Sequence, residues 1–346
     1  MEKSPLQPTP VGALRFNTDS SKIEYYDGNQ WVNVTSTSPE VQTGGTRFLN
    51  GGGGSAPTNT NTIHYFNIST TGNSQDFGDL SGHGAGKGYW GASFADRTRG
   101  VWCGSYTGGG RSNNIVYVTI SSTGDALDFG DCDAGGAKVE GGGFSNATRG
   151  VTMPAQNSNG APYYTNAIDY LTIQHKGNTK DFGDARSAQG LKPAFASSIR
   201  GVFANGTSPS ERALDYVTIS TTGNSAHFGN LSSNTRVDMA ASNSVRGLLQ
   251  GQHGAGTRID YYTIATLGNA SEFGDSTQAR SNGMAGASST RVVFAGGSVS
   301  PTGVKTTDYV QINTTGNATD FGDLEYCDST NNGNNKGFTN GHGGLG

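Results

Sequence analysis

Apolar and polar residues alternate in short runs along this chain, and the runs return in a fixed order. One run is Leu214-Asp215-Tyr216-Val217-Thr218-Ile219, whose period of two puts Tyr216 and Thr218 on one face and Val217 and Ile219 on the other. That alternation, with β-branched and aromatic residues, predicts a strand. Thr-Thr-Gly-Asn follows as a tight turn in which Gly223 and Asn224 suit positive φ. A second strand then carries a phrase of the type Asp-Phe-Gly-Asp. The last copy of the unit, Thr307 to Asp323, reads TDYVQINTTGNATDFGD, and versions of it lie upstream. Phe77, Phe129, Phe182, Phe228, Phe273 and Phe321 mark the copies, each twelve residues after a tyrosine: Tyr65, Tyr117, Tyr170, Tyr216, Tyr261 and Tyr309. That spacing holds while successive phenylalanines lie 45 to 53 residues apart, the pattern of a rigid unit between adjustable ones.

A second phrase, Thr-Arg-Gly-Val-Phe-Ala-Gly-Gly in composite, sets a basic residue at Arg47, Arg99, Arg149, Arg200, Arg246 and Arg291, with Lys336 in a seventh place. The apolar residues after each Arg predict a buried strand ending in a glycine turn. A short run of small residues precedes it, as in Ser281 to Ser288. Four strands per unit predict an all-β fold, a β-propeller of four-stranded blades. From the axis outward we label them a (small residues), b (Arg), c (Tyr) and d (Phe). Residues 1–10, with three prolines, predict an extended arm. Alternation around Leu14 and Phe16, Ile23 and Tyr25, and Val32 and Val34 predicts a β-meander after it. The chain divides into an arm and meander, 1–45, and a repeat domain, 46–346. Seven b strands against six c and d strands leave one blade open, and open edges are avoided. Seven blades are favoured, the meander supplying the missing c and d through Ile23 to Asp27 and Gln30 to Val34; six blades with a separate meander is the alternative.

Composition then narrows the functions. The 55 glycines follow no Gly-X-Y period and point to tight turns and closely packed strands. With 14% charged residues and a net charge of -4 there is no footprint for nucleic acid or an anionic membrane. Cys103, Cys132 and Cys327 are odd in number and outside any C-x-x-C, so neither a disulfide framework nor a zinc site is signalled. No 18-residue apolar run suggests a membrane span, and the opening MEKSPLQPTPVGALRF lacks a signal peptide's apolar stretch, so synthesis in a cytoplasm is expected.

Candidate chemistry is sparse. Asp-Phe-Gly occurs in four of the six copies, without a P-loop or H-R-D, and reads as a structural phrase whose Phe fills space between blades. A carboxylate pair such as Asp320 and Asp323 falls short of the six to eight oxygens calcium takes. The histidines share no metal spacing and no G-x-S-x-G is present. We therefore expect no enzyme, no cofactor and no metal, with each repeated Arg pairing to a neighbouring blade's Asp or to a backbone carbonyl. Antiparallel order puts the b–c and d–a connections on one face. The Arg-to-Tyr interval varies from 15 to 21 and the Phe-to-basic interval from 15 to 22, so this is the adjustable face and the expected contact surface. Its candidates are Tyr163 and Tyr164 in MPAQNSNGAPYYTN, Tyr89 and Trp90, Arg111, His253 and Lys305, a mixture suited to a glycan. The plainer reading makes them ordinary loop residues or contacts to a neighbouring subunit.

The glycine doublet, the Tyr strand, an aromatic twelve residues on and the Arg followed by small residues resemble the kelch repeat, with Phe in place of its Trp. The phrases TTGNATDFGD and TRGVFAGG are more similar to repeat proteins of tailed bacteriophages, and PVGALRFNTDSSKIEYYDGNQWVNV resembles the N-terminal modules of phage tail-fibre and other virion proteins. The resemblance implies a non-enzymatic virion structural protein (tail fibre, tail or capsid appendage) made in the host cytoplasm. It further implies an arm that binds other virion proteins, homo-oligomerisation in the particle and contact with a host-surface glycan or protein, without nucleic acid or membrane insertion. A glycan-degrading depolymerase is one alternative, which needs paired carboxylates about 5 to 9.5 Å apart. An intracellular kelch-like adaptor is another.

Overall fold

The computed structural model describes the chain except residues 1–8, 19–21, 35–45, 54–59, 81–90, 108–109, 133–140, 154–163, 189, 191–192, 205–211, 234–236, 253–255, 300–301, 326–335 and 346. The chain separates into two compact units, Met1–Gln42 and Thr43–Gly346. Both are all-β.

The smaller unit holds one antiparallel sheet of Leu14–Asn17, Lys22–Tyr26 and Trp31–Asn33. Its second turn is set by Asp27, whose carboxylate accepts N–H bonds from Gln30 and Asn29 at 2.8 Å, contacts that hold its pKa below the usual range.

Among the described residues the larger unit holds six four-stranded antiparallel sheets. The second consists of Ala92–Ala95, Arg99–Thr107, Gly110–Thr119 and Leu127–Asp131; the third of Gly143–Ser145, Arg149–Thr152, Ala167–Thr172 and Lys180–Asp184. Ala194–Ala196, Arg200–Ala204, Ala213–Thr218 and Ala226–Asn230 make the fourth, and Val237–Ser242, Arg246–Gln252, Gly256–Thr263 and Ser271–Asp275 the fifth. The sixth, Met284–Ala287, Arg291–Ala295, Thr306–Gln311 and Thr319–Asp323, carries a small hairpin of Ser298–Val299 and Thr302–Gly303 between b and c. The first sheet borrows its a strand from far along the chain: Lys336–Thr339 pairs with Arg47–Gly53, followed by Thr60–Asn67 and Gln75–Asp79. The a strands pack side by side in ring order, and the sixth meets the first.

This pairing corrects the expected seventh closure. Among the described residues the meander strands pair with one another, and Lys336–Thr339 is an a strand rather than a b strand. The reason is packing. Phe338 occupies the place that Phe94, Phe144 and Phe195 hold on the other a strands, each opposite the second residue after its own sheet's Arg.

Two repeated contacts lock each sheet to the next. The first is made by backbone. On every d strand the Phe is the extra residue of a β-bulge, and its carbonyl accepts the N–H of the glycine in the next sheet's c–d turn, as in Gly124 to Phe77 at 2.7 Å and Gly72 to Phe321 at 2.9 Å. Two residues on, Asp79 and Asp323 accept in the same way from Ala126 and Ser74. The turn's Asn or Asp accepts the N–H of the d strand's last residue, as Asn73 does from Asp323. The outer edge of each sheet is thereby occupied by its neighbour's turn. The glycine of the phrase is obligatory, since a Cβ on Gly78 would lie 2.5 Å from the backbone of Gly124.

The second contact is made by side chains. The a-strand Phe of one sheet lies on the glycine that follows the Arg of the next: Phe338 on Gly100, Phe94 on Gly150, Phe144 on Gly201 and Phe195 on Gly247, where a Cβ would come within 1.9 to 2.1 Å of the ring. Two interfaces solve the fit differently. The fifth sheet has Ala241 in the Phe position and the sixth has Val292 after its Arg. The sixth sheet has Gly286 in that position and the first has Phe48 after its Arg, with the bulk reversed and Gly286 against the Phe48 ring. Large meets small at every seam, as close packing requires.

Within each sheet the Tyr and Phe rings meet edge to face at 5.8 to 6.2 Å, and the d-strand Phe is buried, contributing roughly 1.5 to 3 kcal/mol. Each Arg stacks over its own sheet's Tyr and donates Nη1 to an Ile carbonyl of the next sheet, at 2.8 to 3.2 Å. The expectation of a carbonyl partner is met. No helix among the described residues is long and apolar enough to cross a membrane.

The seam rule is testable by transplanting one solution onto another. Phe94→Ala should cost about 3 to 5 kcal/mol through its cavity, and Gly150→Val about 1 to 3 kcal/mol through overpacking. Combined, they recreate the Ala241 and Val292 pairing, so urea unfolding of the double variant should show a loss smaller than the sum by roughly 0.5 to 3 kcal/mol.

Candidate functional site

The ring has two unlike ends. At one end lie the a–b turns, three residues long in each of the five sheets where a and b are consecutive, and the c–d turns, seven residues long in all six (68–74, 120–126, 173–179, 219–225, 264–270, 312–318). At the other end the b–c connections run from 2 residues (108–109) to 14 (153–166), and the d–a connections from 6 (231–236) to 12 (80–91 and 324–335). The turns at the constant end are fixed by contacts with the next sheet.

Of the residues expected to form a contact surface there, Tyr163, Tyr89, Trp90 and His253 lie outside the described residues. Tyr164 is half-buried just before Ala167–Thr172. Arg111 stands on the second sheet's c strand opposite Tyr106, in the hairpin with the longest strands of the six sheets. Lys305 is exposed and donates Nζ to the Glu325 carbonyl at 2.6 Å, fastening the chain that leaves the sixth sheet. These residues belong to separate sheets.

A buried polar position under this end was missed in the sequence, although its signal, the Asp of the Ile-Asp-Tyr run, was visible. Asp215, Asp260 and Asp308 are buried on c strands, and each takes hold of the d–a connection arriving from the preceding sheet. Asp215 pairs with Arg186 at 2.9 Å. Asp260 accepts from Ser232 and pairs with Arg258 at 2.7 Å, contacts that raise the Arg258 pKa. Asp308 accepts from Thr277 N–H and Oγ1 at 2.8 and 2.6 Å and from Arg280, with which it forms an ion pair closed from solvent. In the first sheet the polarity is reversed. His64 stands at this position, with Glu325 of the incoming connection 3.7 Å from its Nδ1. Burial pushes the His64 pKa down, while Glu325 and Asp76 pull it back up.

The constant end is closed along the axis. The a strands finish there with Ala95, Ser145, Ala196, Ser242, Ala287 and Thr339, so hydroxyls alternate with alanines around the ring. Each hydroxyl donates at 2.7 Å to the alanine carbonyl of the sheet before it: Ser145 to Ala95, Ser242 to Ala196 and Thr339 to Ala287. Residues 340–345 lie across this mouth. The half-buried His342 ring donates Nε2–H to the Ala95 carbonyl at 2.7 Å and accepts the Gly344 N–H on Nδ1 at 3.1 Å, so its neutral form satisfies both nitrogens. Arg97 holds the Leu345 carbonyl at 2.9 Å. A side chain at Gly344 has no room, because its Cβ would lie 1.7 Å from the Ser145 carbonyl oxygen. Burial lowers the His342 pKa despite the Ala95 carbonyl and Asp96.

Among the described residues no cluster of three His, Cys, Asp or Glu could hold a metal, and Asp215, Asp260 and Asp308 are engaged in tethering. No protein-family model matches this chain, and no curated protein matches it.

His64 is buried and His342 half-buried, and burial lowers the pKa of both rings. As pH falls below about 6.5 the unfolded chain takes up these protons first, so stability is fully present above that pH and declines below it, by up to about 1.4 kcal/mol per pH unit for each ring. Thermal unfolding between pH 8 and pH 5 should show this decline. In the variant carrying His64→Asn and His342→Asn that part of the slope should vanish, whatever its absolute stability.

Proposed function

We propose that Thr43–Gly346 is a six-bladed β-propeller and that the chain is a non-enzymatic structural protein of a tailed-phage particle. Its variable end meets a host-surface glycan or protein or a neighbouring virion protein. The observation that carries this reading is the division of the ring into two ends. One end repeats the same turns six times and is closed over by residues 340–345, and the other holds every connection of changing length. Rigid scaffolds present binding residues on such connections. The tethers from Asp215, Asp260 and Asp308 anchor the bases of those connections, leaving their tips to vary while the ring stays fixed. The phage assignment itself rests on the resemblance of the repeat phrases and of residues 11–35. The part assigned to residues 1–45 is attachment to other virion proteins.

Two measurements test this. Mass spectrometry of purified particles should recover the chain in fixed proportion to the other virion proteins; its absence contradicts the reading. Purified protein should compete with particles for adsorption to host cells, and Tyr163→Ala with Tyr164→Ala should weaken that competition by roughly tenfold or more. Unchanged competition removes those two tyrosines from the contact surface.

A further inference from the structure

The three-stranded sheet of the smaller unit is inverted in its burial. Cross-strand register places Leu14, Tyr25 and Val32 in one row and Phe16, Ile23 and Val34 in the next, all on the same face. Five of these six side chains are 40 to 69% exposed: Leu14, Phe16, Ile23, Tyr25 and Val34. The opposite face is polar and internally satisfied. Glu24, only 7% exposed, accepts from Arg15 Nε at 2.7 Å and Asn17 Nδ2 at 3.0 Å. The Arg15 guanidinium lies 4.3 Å over the Trp31 ring, which in turn leans on Tyr26. A sheet this small needs something against its apolar side to be stable, yet among the described residues nothing covers it, while Glu24 on the polar side is buried.

We propose that this face packs against the same face of a second copy of the chain, forming a six-stranded sandwich across a two-fold axis. Three features favour a second copy. The face carries no charge, so copies meet without repulsion, and its only hydroxyl, on Tyr25, sits in an end row where it keeps access to water. Its two rows across three strands make a flat surface of the kind that packs face to face in aligned sheets. Its exposed apolar area is on the order of 500 Å², near the top of what a monomer carries, so two copies bury on the order of 1,000 Å², where specific interfaces begin. The inference stands on the small sheet alone, whether or not the larger unit serves a phage particle.

Sedimentation equilibrium of the full chain at micromolar concentrations tests it. The wild-type chain should be a dimer, and Phe16→Ser with Ile23→Ser should weaken association by roughly a hundredfold or more. The thermal transition of the larger unit should be unaltered, and Asn33→Ser, on the polar face, should leave association intact. Hydrogen exchange of residues 14–17 and 23–34 in the wild-type chain should slow as concentration rises, a readout that needs no variant. A chain monomeric to about 100 μM, which would leave the face to a different partner or to its own unpaired segments, overturns the proposal. So does an assembly that survives the double substitution.

Discussion

Each sheet of the larger unit ends in a d strand whose outward carbonyls have no fifth strand to bond, and the ring exists because the next sheet's turn supplies the missing donors. The Phe bulge and the glycine beside it bring the two backbones close enough for this, six times over. An unsatisfied edge of this kind is both a cost and an aggregation hazard. Here the cure for each edge is also the joint that sets the distance and angle to the neighbour. The Arg stacked on Tyr acts at the same end, carrying a charge-assisted bond from one sheet to the next. Backbone and guanidinium bonds thus hold the outer part of each seam, while the pairing of large with small residues fills the inner part.

From that constraint the asymmetry of the molecule follows. Turns that must reach into a neighbour have a fixed length and a fixed phrase, so one end of the ring cannot vary. At the other end, among the described residues, three sheets hold the roots of the arriving connections through buried Asp215, Asp260 and Asp308. Burial of an ion pair such as Arg280 with Asp308 is weak ground for stability in itself. Its position, linking an arriving connection to the c strand, accounts for it as a register pin. In the first sheet His64, whose pKa burial pushes down, takes this position with Glu325 of the arriving connection beside it.

Much of this was legible because the residues that make the seam contacts recur at a fixed spacing within every unit, although the contacts themselves join distant segments. The twelve residues from Tyr to Phe cover a strand, a seven-residue turn and the start of the next strand, a piece with no freedom to lengthen. The repeated Arg was equally plain; of the two partners expected for it, a neighbouring Asp or a backbone carbonyl, the structure shows the carbonyl. The seventh b strand was misread for an equally physical reason. Lys336-Gly337-Phe338 has the basic, glycine, apolar order of a b strand, and only the three-dimensional seam shows Phe338 on Gly100, the role of an a strand. Pairing across 293 positions, as between Arg47 and Asn340, leaves no local trace. Likewise nothing in the run Asn340 to Leu345 announces that its glycines fit a mouth built by six other segments. The meander's alternation gave its strands but not the fact that its apolar side is the bare one.

The a strand of the first sheet has a temporal meaning as well. During synthesis its hydrogen-bond partner Arg47–Gly53 emerges early and Lys336–Thr339 only after the remaining sheets have been made. The nascent ring therefore waits with one open strand until translation has passed its last repeat. A chain that stopped before Lys336 would leave the inner edge of Arg47–Gly53 unpaired, an adhesive edge rather than a smaller version of the same ring.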